Sequence, residues 1–129
     1  MSGRILIIYY STHSVCGIGS WLDLLVPELE TQGWDVTVGL AWGAKFNDPE
    51  RIEQCRPALK TIWMDGRTGT EEGRVQAIAR AILQVNPDVV ILNCMNSAFE
   101  AVRRVRHKLR NLRFVVTNHG NFPRQAAAI

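Results

Sequence analysis

Residues 4–19 read RILIIYYSTHSVCGIG, and this stretch contains the two features that decide a fold prediction for the chain. Segment 5–10 is a short apolar run rich in β-branched and aromatic residues, which is typical of a strand buried on both faces. A polar loop follows it, and apolar residues then recur at helical spacing from Ile18 to Leu29. A strand, a glycine-containing loop and a helix in this order present backbone N–H groups and a helix N-terminus, which together suit phosphate binding.

Length and composition indicate one ordinary globular domain. The chain has 129 residues, which is enough for one core and too few for two. Its longest apolar runs fall well short of the roughly 20 residues that a membrane span needs, and its start lacks the pattern of a signal peptide. Cys16, Cys55 and Cys94 are odd in number and far apart. We therefore expect a reducing, cytoplasmic environment and no metal site.

Apolar runs and helical spacing predict the order of the strands and helices. The runs that lack polar alternation predict parallel strands at 5–10, 35–41, 60–64, 89–92 and 114–116. Helical periodicity predicts long helices from Ser20 to Gly33, from Thr70 to Asn86, and from Ser97 or Ala98 through Leu109, with one helical turn at 50–54. Pro27 should kink the first of these helices or split its hydrogen bonding. The fold class is therefore α/β: a Rossmann-like three-layer sandwich whose parallel sheet has about five strands and helices on both faces.

Polar and glycine-containing segments follow three of these strands, at 11–19, 93–96 and 118–120. Ligands of open parallel sheets bind at the carboxyl ends of the strands, near the point where the strand order reverses. The opposite ends of the strands adjoin Gly33-Trp34 and Asn86-Pro87-Asp88, which are typical helix stops. We therefore expect a ligand site at the carboxyl ends only.

The glycine loop is not a dinucleotide fingerprint. Leu22 stands where the third glycine would be, and the second strand ends in Gly39-Leu40-Ala41-Trp42 without an acid to hold a ribose. Gly17 and Gly19 thus have two interpretations, a turn that needs positive φ or a close backbone contact to phosphate.

Four motifs in order resemble the N-terminal half of GT-B glycosyltransferases, and more narrowly the retaining, family-four (group 1) type. They are the Gly17-Ile18-Gly19 loop after the first strand, segment 31–38 (TQGWDVTV), segment 86–90 (NPDVV) and segment 115–120 (VVTNHG). The resemblance covers nearly the whole chain. It implies a sugar transfer from a nucleotide-sugar donor to a sugar or a lipid-linked acceptor, with no cofactor other than the donor substrate.

The resemblance also implies roles for the matching positions. Gly17, Ile18 and Gly19 would lie beside the donor diphosphate, and His119 would be the catalytic residue that faces the transferred sugar or the acceptor. Polar residues expected at the carboxyl ends of the strands are candidates for acceptor binding: His13, Asn93, Asn96 and Asn118.

Two departures from the family pattern matter. Trp34 replaces the histidine of the motif that opens the second strand. The second domain of the family, which binds the nucleotide, has no counterpart in these 129 residues. We therefore expect a truncated N-terminal, acceptor-side domain that has no transferase activity alone. Its exposed sheet edge could pair two copies into a homodimer.

Other interpretations stay open for single residues and for the whole chain. His119 could instead cap a strand end through backbone hydrogen bonds, and Cys16 could be a buried structural thiol or a thiol activated by a helix N-terminus. Segment 7–12 (IIYYST) resembles the first strand and phosphate loop of a flavodoxin, although segment 13–17 departs from that family's loop. An FMN-binding module and a non-catalytic partner-binding domain are therefore alternatives.

The last predicted helix is strongly basic. Glu100 is the single acid in its sequence, set against a series of basic residues: Arg103, Arg104, Arg106, His107, Lys108, Arg110 and, just beyond, Arg113. This face is either simply solvated or a contact, through Arg103, Arg104, Lys108 and Arg110, to anionic lipid headgroups at the inner face of the membrane or to an acidic partner. Nucleic acid is not expected, because no aromatic residues interleave with the cations.

Overall fold

The computed structural model describes residues 3–9, 19–42, 49–55, 57–93 and 96–117. Strands and helices alternate along these ranges. The strands are β1 (Arg4–Tyr9), β2 (Asp35–Trp42), β3 (Thr61–Asp65), β4 (Val89–Asn93) and β5 (Arg113–Thr117). The helices are α1 (Gly19–Thr31), α2 (Pro49–Cys55), α3 (Glu71–Val85) and α4 (Asn96–Val105).

The five strands form one parallel sheet with the order β3-β2-β1-β4-β5. This confirms the predicted Rossmann-like class. The order matches the first five strands of the classic dinucleotide-binding sheet, 3-2-1-4-5-6, and differs from the flavodoxin order 2-1-3-4-5. The topology therefore argues against the flavodoxin alternative.

Alternate residues of the central strand β1 enter two separate cores. Leu6 and Ile8 pack in a cluster with apolar residues of α3 and α4. Ile5 and Ile7 pack in a second cluster, with residues of α1 and α2. Helices thus cover both faces of the sheet, which explains why β1 has no polar alternation.

The predicted helix ends are mostly confirmed. The Thr70 side chain accepts a hydrogen bond from the Gly73 backbone N–H and caps α3, while Asn86 closes that helix in the left-handed conformation with φ 52°. Gly33, after α1, has φ 95°, which favours glycine. Pro27 lies inside α1, and the helix continues through it rather than dividing there.

The predicted extent of the last helix was wrong. Helix α4 ends at Val105, and residues 106–111 form turns in which the N–H groups of both Lys108 and Leu109 donate to the Val105 carbonyl. Leu109 still packs against the α3–α4 core. Its apolar spacing therefore matched a helix although the backbone had already turned towards β5.

Candidate functional site

The strand order reverses between β1 and β4, which lie side by side in the sheet. Helix α1 follows β1 and packs on one face, whereas α4 follows β4 and packs on the other. Their first residues, Gly19 and Asn96, therefore both lie where the strands end. We call this side of the sheet the carboxyl edge, and it carries the partial positive charge of two helix N-termini.

The predicted site residues divide between described and undescribed parts of the chain. Gly19 begins α1, Asn93 ends β4, and the exposed Asn96 begins α4, so the backbone brings these three to the carboxyl edge. The Thr117 hydroxyl donates to the Leu92 carbonyl at 3.0 Å and joins the end of β5 to β4. The other predicted residues lie outside the described ranges: His13, Cys16, Gly17, Ile18, Asn118 and His119.

A second group at the carboxyl edge was missed by sequence reasoning. The Arg67 guanidinium carbon lies 4.2 Å from the centroid of the Trp42 ring. Arg67 also donates to Asp65 Oδ1 from its backbone N at 2.9 Å and from Nε at 3.2 Å. These hydrogen bonds hold the pKa of the Asp65 carboxyl below its usual value. The segment after β3 thus places a cation on an aromatic ring beside the ends of β2 and β3.

Gly66 allows this arrangement. Its backbone N–H donates to the Trp42 carbonyl at 2.8 Å, and a Cβ at this position would lie 2.6 Å from the same oxygen. The sequence signal was the Asp65-Gly66-Arg67 turn directly after a predicted strand. The stacking on Trp42 could not be seen from it, because Trp42 ends a different strand.

The basic face of α4 is partly neutralised. Arg104 forms a two-pronged ion pair with Glu72 of α3, with Nη1 2.6 Å from Oε2 and Nη2 2.7 Å from Oε1, and its Nε lies 3.0 Å from Glu100. The hydrogen bonds from Arg104, and secondly one from Gln76, lower the pKa of Glu72 from 4.5 to about 2. Arg103 pairs with Glu100 at 2.6 Å, and this contact together with Arg104 lowers the pKa of Glu100 as well. Sequence reasoning had set only Glu100 against these cations.

Neither metal ligands nor a membrane-spanning helix is found in the part of the chain that the structure describes. No three or more His, Cys, Asp or Glu side chains there are grouped so that they could hold a metal ion. Among the same residues, no helix is long and apolar enough to cross a membrane.

The chain is similar to known proteins in fold and in sequence pattern. The crystal structure of a protein assigned as a UDP-N-acetylglucosamine 2-epimerase from Listeria monocytogenes is similar with a TM-score of 0.53 and 18% identity. The match covers 87% of this chain and 30% of that protein, and at this identity it shows the fold alone. A comparison with curated proteins found no match. The sequence model of Glycosyltransferase Family 4 matches residues 15–128. This chain therefore belongs to Glycosyltransferase Family 4, and its fold is of the GT-B N-terminal type.

Proposed function

We propose that this chain is the N-terminal, acceptor-side domain of a retaining glycosyltransferase that moves a hexosyl group from a nucleotide sugar to an acceptor. The observation that carries the proposal is the family match over residues 15–128. The strand order supports it, because it brings the N-termini of α1 and α4 to one carboxyl edge. The three cysteines are odd in number and far apart, and no two of them have metal-ligand spacing, which favours a reducing, cytoplasmic compartment.

The reaction needs stabilisation of the charge that develops on the leaving diphosphate. Backbone N–H groups of Gly17, Ile18 and Gly19 would supply it at the start of α1, without a side chain in the way. His119, two residues after the end of β5, would face the transferred sugar. The acceptor would contact the other polar residues that the sequence suggests for this site: His13, Asn93, Asn96 and Asn118.

The proposed enzyme needs a second domain. The chain spans 30% of the length of the structurally similar protein assigned as an epimerase. We infer that the donor-binding domain belongs to a longer polypeptide. Catalysis by positioning requires both substrates to be held in reacting geometry. We therefore expect the 129 residues alone to show no transfer.

The test compares the chain alone with a polypeptide that joins it to the second domain of the family. Transfer from labelled nucleotide sugars should occur only in the joined form, and NMR of the product should show that the anomeric configuration of the donor sugar is retained. His119→Ala should lower kcat about 100-fold, the typical effect of removing one charge-stabilising group. His107→Ala is the matched control, since His107 is exposed on the turn after α4.

Five results would contradict the proposal, three by refuting a part of it and two by favouring an alternative function. Turnover by the 129 residues alone would refute the need for a second domain, and an inverted product would refute retention. Equal activity of the two histidine variants would remove His119 from catalysis. A yellow protein that binds FMN would restore the flavodoxin alternative, against the strand order. A tight, salt-sensitive complex with an acidic protein and no transfer by the joined form would favour a partner-binding domain.

A further inference from the structure

Charge is divided unevenly along this chain. Residues 1–100 contain 8 Lys or Arg and 12 Asp or Glu, a net charge of −4, whereas residues 101–129 contain 7 Lys or Arg and no acid, a net charge of +7. The overall charge of +3 conceals this division. A region with so strong a positive field attracts anionic surfaces.

The densest part of this region lies at the end of the sheet opposite to the carboxyl edge. Helix α4 begins near the end of β4 and runs back for 10 residues, about 15 Å. The turns at 106–111 then lead through Leu112 into β5, whose first residue Arg113 pairs with Val89, the first residue of β4. We call this opposite side the amino edge.

The cations of this region differ in how well they are paired. Arg103 and Arg104, on α4, are held by Glu100 and Glu72. The side chains of Lys108, Arg110 and Arg113 are exposed, and no described carboxylate lies within ion-pair distance of them. Arg106 is exposed too, and its guanidinium carbon lies 5.6 Å from the centroid of the Phe114 ring. We define the amino-edge basic surface as Arg106, His107, Lys108, Arg110 and Arg113.

We propose that the amino-edge basic surface docks the domain on an anionic lipid membrane. Its cations are spread over consecutive turns on the outside of the fold. This spacing suits an extended surface that carries many negative charges better than a single small anion. Clusters of four to eight Lys or Arg suit anionic lipid headgroups. Nucleic acid is disfavoured, because Phe114, the aromatic ring beside these cations, packs against the core and lies near Arg106.

The amino-edge basic surface differs from the set of α4 residues that the sequence suggests for membrane contact. The ion-paired Arg103 and Arg104 are excluded. Lys108 and Arg110 are kept, and the other residues of the defined surface are added. The surface lies at the other end of α4 from Asn96, so a docked domain would turn its carboxyl edge away from the bilayer. The surface would then anchor the domain without contacting the reacting groups. It does not depend on the proposed transferase function.

The experiment is sedimentation of the purified chain with vesicles of phosphatidylcholine that contain about one-third phosphatidylglycerol, compared with pure phosphatidylcholine. The test variant is Lys108→Gln/Arg110→Gln. The control is Arg67→Gln/Arg74→Gln, which removes the same charge from the loop before α3 and the first turns of that helix, near the carboxyl edge. Circular dichroism checks that all three proteins are folded.

The chain should bind the anionic vesicles and not the neutral ones, and added salt should weaken the binding. The test variant should bind about 25-fold more weakly, since each cation near such a surface contributes roughly five-fold. The control should lose much less. Equal losses in both variants would show that only net charge matters and would overturn the proposal, as would the absence of vesicle binding. Tighter binding of a DNA duplex or of polyglutamate than of the vesicles, lost in the test variant, would reassign the surface to nucleic acid or to an acidic protein.

Discussion

Single residues set the ends of the elements in this domain. Thr70 illustrates how, because its hydroxyl oxygen 3.0 Å from the Gly73 N–H satisfies a donor that has no partner inside α3. At the other end of the helix, Asn86 takes the left-handed conformation, and its N–H donates to the Ile82 carbonyl. Both residue types prefer these positions because of local physics. Sequence alone could therefore place both ends of α3.

Replacing Thr70 by alanine should destabilise the domain by about 1 kcal/mol, because the Gly73 N–H loses its partner. Urea unfolding followed by circular dichroism measures this as a lower midpoint with an unchanged slope. Thr70→Ser is the control, since its hydroxyl can still accept the hydrogen bond. If the alanine variant is as stable as the serine variant, water replaces the cap without loss.

At the scale of elements, α3 and α4 are joined in two ways. Their apolar faces share a core that includes Ile78, Ile82 and Val102. On the surface, Arg104 connects the first turn of α3 to the last turn of α4 through Glu72. Because both charges are exposed, we expect the apolar contact to dominate and the ion pair to add a small, pH-dependent contribution.

Glu72→Gln tests that contribution. The pKa of Glu72 is about 2 in the folded domain against 4.5 normally, so ionised Glu72 stabilises the fold above pH 4.5. This stabilisation should be lost as the pH falls from 4.5 through about 2, because below the folded pKa the carboxyl is protonated in both states. Urea unfolding should show the wild type more stable than Glu72→Gln at pH 7, and this difference should shrink below pH 4.5 and vanish below about pH 2.

Glu71→Gln is the matched control, since Glu71 is the neighbouring exposed acid of the same turn and makes no ion pair with a described residue. Its stability difference from the wild type should change less over the same pH range. A difference for Glu72→Gln that stays constant with pH would show that the ion pair is not formed in solution.

At the scale of the whole molecule, the outer strands β3 and β5 each pair with one neighbouring strand among the described residues. Among the described residues, β5 pairs with β4 alone, and Val115 in the middle of β5 is 51% exposed. An exposed apolar edge strand is a template for pairing with a second chain. We propose that the isolated chain self-associates through this edge.

Val115→Lys should shift the isolated chain towards the monomer, because a lysine on an edge strand opposes pairing. Sedimentation velocity over a range of concentrations measures the shift. Leu83→Lys is the control, since Leu83 lies on α3 and is 38% exposed. This substitution adds the same charge away from the strand edge. Identical behaviour of the two variants would place the association elsewhere or attribute it to charge.

The candidate site shows how far sequence reasoning reached. The loops that follow β1, β4 and β5 were predicted at one edge, and the sheet order brings the ends of those three strands together. Gly19, Asn93 and Asn96 lie there as expected. The Arg67–Trp42 stack at the same edge was not predicted, because its two members end or follow different strands and no local pattern relates them.

The sequence by itself determined the elements of this protein and its α/β class. Apolar runs, helical spacing and caps such as Thr70 act over a few residues, so their effect is already complete in the local chain. Only the tertiary structure decided the strand order and the partner of Arg104, which lies 32 residues away in sequence. The physical reason is that periodicity specifies which side of an element is buried, whereas the element that covers it depends on packing of the whole chain.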